Sequence, residues 1–307
     1  MEATTIGAVD ETLYYIAAFV FLMLFGIVFF LVYFAVRYRA SRNPVATDIH
    51  GNNLLEVVWV VVPTLIALSM FFYGLTGYNF LRRAPAGSFE TTVRARQWSW
   101  LFEYPDGTKS PDLVVPAGRD VKLTFASEDV IHGFYLPGYR IQVDAVPGMK
   151  TYAWFKASRV GVFDILCTVY CGINHSGMLA KLYVLPQDQY DAWRAGGSTQ
   201  LSGFRLPAAL ATGSSLLALH GCLGCHSTEG RTIVGPTFKW LFGSTVQVIA
   251  GKAGTPVSVR ADEAYLRESI VDPGAKVVEG FPDSMPARSD LSAQDVDGLV
   301  EAIESLR

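Results

Sequence analysis

Two uncharged, strongly apolar stretches near the N-terminus constrain this chain more than any other feature. The first covers residues 14–36 and the second covers residues 57–80. A helix of about 23 residues is roughly 34 Å long, which is enough to cross the ~30 Å hydrocarbon core of a bilayer. Pro63 interrupts the second stretch, but neighbouring helices can satisfy the carbonyl that it frees. The sequence therefore predicts two membrane-spanning helices, at about 12–37 and 56–80, rather than two buried core helices.

Charges beside the two stretches predict the orientation of these helices. Three acidic residues and no basic ones precede the first stretch, whereas Arg37, Arg39 and Arg42 open the loop that follows it. By the positive-inside rule that loop is cytoplasmic, so the soluble part of the chain lies outside the cytoplasm. The first stretch lacks a cleavage site of small residues and is too long for a signal-peptide core, so we expect it to be retained as an anchor.

The overall charge argues against a nucleic-acid partner. The chain has 307 residues, half of them hydrophobic, and a formal net charge of −3. Proteins that bind nucleic acid normally carry a basic patch or stripe, and none is visible here. The sequence instead predicts a lipid bilayer as one partner of the chain.

From about residue 88 the sequence changes to short runs rich in β-branched and aromatic residues. In the run DVKLTF, Val121, Leu123 and Phe125 would face one side of a strand and the intervening residues the other. Turn sequences such as PDG separate these runs. This pattern predicts an all-β sandwich or barrel of about 100 residues.

One loop of the predicted β domain, CTVYCGINHSGM, gathers four possible metal ligands. It contains Cys167, Cys171, His175 and Met178, and His132 comes from the earlier segment DVIHGF. Thiolate and thioether sulfurs are soft ligands that suit copper, and imidazole suits copper too. A single blue-copper site uses one cysteine, so the second thiolate is in excess there. Two thiolates can instead bridge two copper ions, with one imidazole for each, which favours fast electron transfer.

Two other interpretations of this cysteine pair are possible, namely a disulfide in an exported domain and a zinc site. A disulfide would leave the spacing of the two histidines and the methionine unexplained. Zinc would not call for a thioether ligand.

A second cysteine pair forms the motif C-x-x-C-H, which attaches haem c. Cys222 and Cys225 would form thioethers with the haem, and His226 would be the proximal iron ligand. Met285 lies in a loop before the last helical pattern and is the predicted second axial ligand. The alternative is a thioredoxin-like redox pair, but no βαβ pattern surrounds the motif.

These features together predict a multi-domain chain. Residues 1–86 form a two-helix transmembrane hairpin, and residues 87–186 form the all-β sandwich or barrel. A polar segment with Gly and Ser, residues 187–206, is predicted to be a linker. Residues 207–307 are predicted to form an all-α cytochrome c domain.

The chain resembles subunit II of the haem–copper oxidases over roughly residues 12–186. The matching stretches are EVVWVVVPTLIA, QWSWLFEYPDG, DVIHGF, DAVPGM and CTVYCGINHSGM, in the order of the family. The resemblance implies a cupredoxin fold for the β domain and a binuclear copper centre, CuA. The C-terminal part resembles the small class I cytochromes c, which also place a methionine as Met285 is placed.

The resemblance also implies how the ligands are shared between the two copper ions. Cys167 and Cys171 bridge them, His132 and Met178 complete one, and His175 and the backbone carbonyl of Val169 complete the other. Respiratory members of the family usually have a glutamate at the position of Val169, and its carboxylate reaches a magnesium ion. Valine leaves the copper-binding carbonyl in place, and no magnesium is predicted here.

Two further residues acquire expected roles from the resemblance. Trp98 corresponds to the aromatic residue at which electrons reach CuA, although it could also be an ordinary strand aromatic. Glu56 corresponds to a residue at the mouth of a proton channel into subunit I. The alternative for Glu56 is a carboxylate favoured by the N-terminus of a helix.

The expected function is electron input to a terminal oxidase in the bacterial plasma membrane. Cytochrome c or another donor would reduce haem c, and electrons would pass through CuA to subunit I of an oxygen-reducing, proton-translocating complex that contains further membrane subunits. No complete catalytic site lies in this chain, and its soluble domains would be periplasmic. Two alternatives remain: a CuA-type nitric oxide reductase, suggested by Val169, and a membrane-tethered electron carrier without a catalytic partner.

Overall fold

The computed structural model describes residues 4–45, 47–48, 50–196, 199–201, 204–206, 213–250 and 254–307. It contains two compact units, Met1–Ala84 and Pro85–Arg307, and each is described by itself.

The first unit contains two long helices, α1 (Thr5–Arg37) and α2 (Asn53–Leu81). The side chain of Thr4 caps α1 by accepting a hydrogen bond from the Gly7 amide, and Asn52 caps α2 in the same way. Both helices begin a few residues before the predicted positions, because these caps lie upstream of the uncharged stretches. The predicted pair of long apolar helices is confirmed.

A few polar and aromatic contacts join α1 to α2. The Tyr15 hydroxyl donates to Ser69 Oγ at 3.0 Å, and the rings of Tyr15 and Tyr73 stack with centroids 4.6 Å apart. Most other large apolar side chains of the pair point outward; Phe25 is 69 % exposed and Phe72 is 61 % exposed. So large an apolar surface suits lipid rather than water.

Ten strands form the predicted β domain as two five-stranded sheets. The first sheet has the order β3-β2-β1-β5-β8 and the second the order β4-β10-β9-β6-β7. The strands are β1 (Phe89–Arg96), β2 (Ser99–Glu103), β3 (Lys109–Ser110), β4 (Leu113–Pro116), β5 (Asp120–Ser127), β6 (His132–Leu136), β7 (Ile141–Ala145), β8 (Thr151–Lys156), β9 (Gly161–Cys167) and β10 (Leu179–Leu185).

The core of this sandwich lies between the two sheets. Val121, Leu123 and Phe125 of β5 are fully buried, as the alternation in the sequence predicted. Phe125 meets Phe134 of the opposite sheet with ring centroids 4.9 Å apart. The expected all-β sandwich is therefore confirmed.

The segment predicted to be a linker begins with a packed helix, α3 (Gln187–Arg194). Tyr190 and Trp193 lie three positions apart on one face of α3, and both are buried. The Tyr190 ring is 5.8 Å from Phe89, and the Trp193 ring is 5.5 Å from Tyr104. Composition alone pointed to a linker, because the flanking residues are polar, but this aromatic pair ties 187–194 to the sandwich. The hairpin β11 (Thr199–Leu201) and β12 (Phe204–Leu206) follows; residues 197–198, 202–203 and 207–212 lie outside the described residues.

The C-terminal region combines three helices with a small sheet. The helices are α4 (Gly213–Leu219), α5 (Glu263–Val271) and α6 (Ala293–Glu304). The antiparallel strands β13 (Thr245–Ala250), β14 (Pro256–Arg260) and β15 (Lys276–Val278) pair in the order β14-β13-β15. The expectation of an all-α region missed this sheet, although the β-branched runs TVQVIA and PVSVR favour strands.

Helices α4 and α6 approach each other closely in the core of this region. A Cβ atom on Gly298 of α6 would lie 2.6 Å from Leu216 Cδ1 of α4, so the glycine permits the approach. Leu217, Leu299 and Ile303 are buried in the same hydrophobic cluster. The helix that precedes the C-x-x-C-H motif is thus anchored by the last helix of the chain.

Candidate functional site

The first cysteine pair lies in a compact cluster at one end of the sandwich. His132 begins β6 and Cys167 ends β9, and these strands are paired in the second sheet. Ligand atoms of His132, Cys167 and Cys171 all lie within 4.8 Å of one another. His132 is fully buried and Cys171 is only 4 % exposed, so the protein shields this cluster from water.

The three other predicted donors lie beside this cluster. Met178 Sδ is 3.1 Å from His132 Nδ1 and 3.9 Å from Cys171 Sγ. His175 Nδ1 is 3.5 Å from Cys171 Sγ, and the carbonyl oxygen of Val169 is 3.4 Å from Cys167 Sγ. The fold therefore brings together all six donors proposed from the sequence.

The chemistry of this donor set fits a pair of soft metal ions. The two cysteine sulfurs are 3.7 Å apart, whereas a disulfide bond is about 2.05 Å long, and all four cysteines of the chain are unbridged. A buried thioether beside two thiols and two imidazoles is unusual for zinc and suits copper. The arrangement offers donors suited to copper.

The pKa values of the two thiols in this cluster are shifted in opposite directions. Burial, together with the negative charge of a neighbouring Cys167 thiolate, raises the pKa of the Cys171 thiol to about 12. Burial acts in the same direction on Cys167, but hydrogen bonds from His132 and nearby backbone groups leave the pKa of Cys167 below its ordinary value. Since metal ions bind the thiolate form, binding of a metal here would release protons from these thiols.

Asp129 orients one imidazole of the cluster, and sequence reasoning missed it. Its Oδ1 is 2.8 Å from His132 Nε2, which leaves His132 Nδ1 facing Met178. Its Oδ2 accepts a hydrogen bond from the Gln97 amide at 2.7 Å. A carboxylate that accepts from the far nitrogen of a ligating histidine fixes the ring and its tautomer. The D-x-x-H spacing in EDVIH was the available signal.

Trp98 lies at the edge of the cluster. Its indole N–H donates to the carbonyl of Cys171 at 3.2 Å, and Gln97 Nε2 donates to the same oxygen at 2.6 Å. Gly172 has φ +122°, and a Cβ there would lie 2.9 Å from both Gln97 Nε2 and Trp98 Cζ2. The half-buried Trp98 thus contacts the backbone of a predicted copper ligand.

The C-x-x-C-H motif forms a tight turn directly after α4. Residues Cys222–Gly224 make a single 3-10 turn, and His226 follows it. The His226 Nδ1–H donates to the carbonyl of Pro236 at 2.7 Å, and the ring stacks on Phe238 with centroids 4.5 Å apart. A Cβ on Gly235 would lie 2.6 Å from His226 Cε1, so a glycine is needed beside the ring.

This environment suits His226 as a metal ligand. Burial lowers the pKa of His226, with the Pro236 carbonyl acting in the opposite direction, so the imidazole is neutral at pH 7. Since Nδ1 carries the proton, Nε2 is left with its lone pair, as an axial ligand requires. The residues present therefore fit a haem on the His226 side.

The other predicted residues lie elsewhere in the chain. Met285 lies in the loop between β15 and α6 and is 36 % exposed, and its role as second axial ligand stays a prediction. Glu56 lies in the first turn of α2 with an exposed side chain. The half-buried His220 is 3.7 Å from Asp295.

The sandwich, its sulfur-rich cluster and the two apolar helices define a membrane-anchored cupredoxin-like protein, and comparisons with known proteins specify the family. The family "Cytochrome C oxidase subunit II, transmembrane domain" matches residues 3–76, and "Cytochrome C oxidase subunit II, periplasmic domain" matches residues 108–183. Cytochrome c oxidase subunit 2 of Alkalihalophilus pseudofirmus is 30 % identical over 306 residues, covering 95 % of this chain and 86 % of the relative.

A second relative and one solved structure are also described as subunit 2 or subunit II of a cytochrome oxidase. The alternative cytochrome c oxidase subunit 2 of Bradyrhizobium diazoefficiens is 31 % identical and covers 62 % of this chain and 80 % of its own length. The crystal structure of the periplasmic domain of subunit II of cytochrome oxidase of Bradyrhizobium japonicum is 26 % identical, covers 36 % of this chain and 94 % of its own length, and has a TM-score of 0.35.

The chain belongs to the cytochrome c oxidase subunit II family. Members of this family are subunits of oxygen-reducing haem–copper oxidases, so the expected enzyme class is confirmed. The match to the family's transmembrane domain also confirms a two-pass membrane protein. The family implies a CuA centre, and the cluster of His132, Cys167 and Cys171 is consistent with it.

Proposed function

We propose that this chain passes electrons from a donor through haem c and CuA to the haem–copper catalytic subunit of a respiratory terminal oxidase. The observation that carries the proposal is the convergence of five soft or borderline donors and one carbonyl oxygen at one end of the sandwich. The chain offers no other complete reaction centre among the residues that the structure describes. Oxygen reduction therefore takes place in the partner subunit.

Within this proposal the sandwich holds CuA. Two copper ions would be held by the thiolates of Cys167 and Cys171, the imidazoles of His132 and His175, the Met178 thioether and the Val169 carbonyl. Bound copper would supply one-electron redox chemistry. The chain holds the donors on paired strands and one short loop, so that little reorganisation accompanies the change of charge.

The C-terminal region holds haem c in the same proposal. Cys222 and Cys225 would attach the haem covalently, and His226 Nε2 and the Met285 thioether would bind its iron. The hydrogen bond from His226 to Pro236 and the stacking on Phe238 support the proximal role, because they fix the ring and its tautomer.

The partners and location follow from the anchor. The apolar surface of α1 and α2 is proposed to pack against subunit I in the bacterial plasma membrane, with the soluble domains periplasmic. Arg37, Arg39 and Arg42 support this orientation, because they lie at the end of α1 and in the loop that leads to α2. Cytochrome c or a similar protein is the proposed donor. Glu56, at the cytoplasmic end of α2, is the proposed mouth of a proton channel.

One observation favours a second candidate, the electron-accepting subunit of a CuA-type nitric oxide reductase. Val169 stands where respiratory relatives usually carry glutamate, so this chain cannot supply a carboxylate to a neighbouring metal ion there.

Parallel gas electrodes test the two functions on the purified complex supplied with reduced cytochrome c. We expect rapid, cyanide-sensitive oxygen uptake with little loss of nitric oxide. Rapid loss of nitric oxide with feeble oxygen uptake would overturn the oxidase proposal. A haem stain and a near-infrared spectrum of the same sample test for covalent haem and for CuA.

A further inference from the structure

A turn of the first sheet reaches the ligand loop of the second sheet. The turn, residues 97–98, joins β1 to β2, and the loop that contains Cys171 joins β9 to β10. Gln97 Nε2 donates to the carbonyl of Cys171 at 2.6 Å, although 74 positions separate the two residues. Asn174, further along the loop, donates to the carbonyl of Gly224 at 2.7 Å. The loop is thus held from outside at two points, and the first is the backbone of a proposed copper ligand.

The backbone of Gln97 is tied to a second proposed ligand. Its amide donates to Asp129 Oδ2 at 2.7 Å, and Asp129 Oδ1 lies 2.8 Å from His132 Nε2. A chain of hydrogen bonds therefore connects the imidazole of His132, through Asp129 and Gln97, to the carbonyl of Cys171. Asp129 and Gln97 together form a clamp between two ligands that come from different parts of the second sheet.

Contacts on either side hold the clamp in place. Arg96 Nε donates to Ser99 Oγ at 3.2 Å, across the base of the turn. The Glu128 amide donates to the carbonyl of Ala95 at 3.0 Å, which attaches the segment before Asp129 to β1. Since both parts of the clamp are attached to the same strand, they can hold the ligands at fixed positions.

The local structure of the loop favours an amide donor at position 97. Cys171 is buried, and its carbonyl oxygen accepts hydrogen bonds from Gln97 and, at 3.2 Å, from the Trp98 indole. Gly172 follows, and a Cβ there would lie 2.9 Å from Gln97 Nε2. The residue after the ligand therefore has no side chain that would displace the amide.

We propose that Gln97 is a positioning residue for the CuA centre, which holds the backbone of Cys171 and, through Asp129, keeps it in register with His132. This inference rests on the proposed function. Groups that hold metal ligands in place contribute to the affinity for the metal, even where they do not bind it. The carbonyl that Gln97 contacts is not among the proposed donors, so its effect reaches the copper ions only through the position of Cys171.

Gln97→Ala and Gln97→Glu test this role in the purified complex. Alanine removes the side chain, whereas glutamate keeps its size but, when ionised, has no N–H to donate. Both variants should bind copper about tenfold more weakly than the wild type in competition with a copper chelator. The near-infrared band of CuA should also shift, because Cys171 is displaced. Wild-type affinity with an unshifted band in both variants would overturn the proposal.

Hydrogen exchange of the copper-stripped complex gives a readout that does not require an occupied site. Gln97→Ala should speed exchange in residues 168–178 and leave the buried strand Asp120–Ser127 as in the wild type. Equal acceleration in both segments would indicate a loss of overall stability and would contradict a local role for Gln97.

Gln142→Ala is the matched control. Gln142 also contacts the ligand loop, but its Nε2 donates to the Thr168 hydroxyl, at 3.4 Å, and not to the backbone of a ligand. Copper affinity and hydrogen exchange should be as in the wild type. If Gln142→Ala weakened copper binding as much as Gln97→Ala, any contact with the loop would suffice, and the specific role of Gln97 would be wrong.

A double variant, Gln97→Ala with Asp129→Ala, tests whether the two residues act as one clamp. Its fold-loss of copper affinity should be smaller than the product of the two separate losses, since removal of Asp129 already releases the turn that carries Gln97. A loss equal to that product would overturn the link to His132. Absence of a near-infrared band from the copper-loaded wild-type complex would instead contradict the proposed function.

Discussion

The two cysteine pairs of this chain lie in sites of opposite construction. Cys167 and Cys171 belong to a cluster whose donors come from two strands and one loop, with His132 and Met178 46 positions apart. Cys222 and Cys225 belong to one turn, and contacts with Pro236 and Phe238 hold the adjacent His226. In the first site the folded protein brings all the proposed ligands together. In the second site it positions His226 beside the two cysteines, and a haem would occupy the remaining space.

This difference shows in how the thiols are protonated. Burial raises the pKa of Cys222, and it raises the pKa of Cys225 to about 11. The positive charges of Arg288 and Arg96 act in the opposite direction on Cys222, but burial outweighs them. In the first pair, His132 lowers the pKa of Cys167 despite burial, as a site prepared for metal requires.

Removal of one thiol from each pair should separate the two sites completely. Cys171→Ser should abolish the near-infrared absorption of CuA and reduce oxygen uptake to background, because a hydroxyl cannot replace a bridging thiolate. Covalent haem should remain. The matched variant Cys225→Ser should weaken covalent haem attachment and leave CuA intact. Loss of both cofactors in either variant would contradict the separation.

Replacement of Asp129, the carboxylate that contacts His132, tests whether residues around the first site help to orient its ligands. Asp129→Ala should lower copper affinity by about 10–100-fold, because His132 loses the group that fixes its ring. Competition with a copper chelator, followed by the near-infrared band of the purified complex, measures this change. Asp164→Ala is the control, since Asp164 is exposed and pairs with Lys181. Equal affinities in the two variants would show that the strands alone orient His132.

The sequence was sufficient to propose the ligand residues, but not to identify the residues that hold those ligands in place. Cysteine, histidine and methionine are few in this chain, so their gathering in one loop was informative. Asp129 was overlooked, since a carboxylate three positions before a histidine is common in loops. The contact of Asn174 with Gly224 joins residues 50 positions apart, and only the folded chain brings them together.

Secondary structure was predictable where one pattern dominated. The alternation of Val121, Leu123 and Phe125 identified β5, because one face of that strand is buried and the other is not. Helix α3 was hidden in a polar segment, since only Tyr190 and Trp193 carry its packing. The C-terminal sheet was missed because the helical haem motif and final helix dominated the interpretation of that region.

The smallest expected effect concerns the helix that anchors the second site. Ser292 and Asp295 form a capping box at the start of α6, and the Ser292 hydroxyl donates to Asp295 Oδ2 at 2.6 Å. This hydrogen bond holds the pKa of Asp295 below its ordinary value. A carboxylate with a lowered pKa in the folded state stabilises the protein above its unfolded pKa of about 3.9, and this contribution is lost as the pH falls through the folded pKa.

Asp295→Asn should therefore speed hydrogen exchange in residues 293–304 at neutral pH, and the difference from the wild type should shrink as the pH falls through the lowered pKa of Asp295. The loss should be smaller than the ~1 kcal/mol typical of removing a helix N-cap, because the Ser292 cap remains. Mass spectrometry of the purified complex across this pH range measures the exchange. Asp297→Asn, on the same helix and paired with Arg267, is the control for a change of charge alone. If its pH profile matched that of Asp295→Asn, general electrostatics rather than the capping box would stabilise α6. The second site would then, like the first, depend on charges spread over its surroundings.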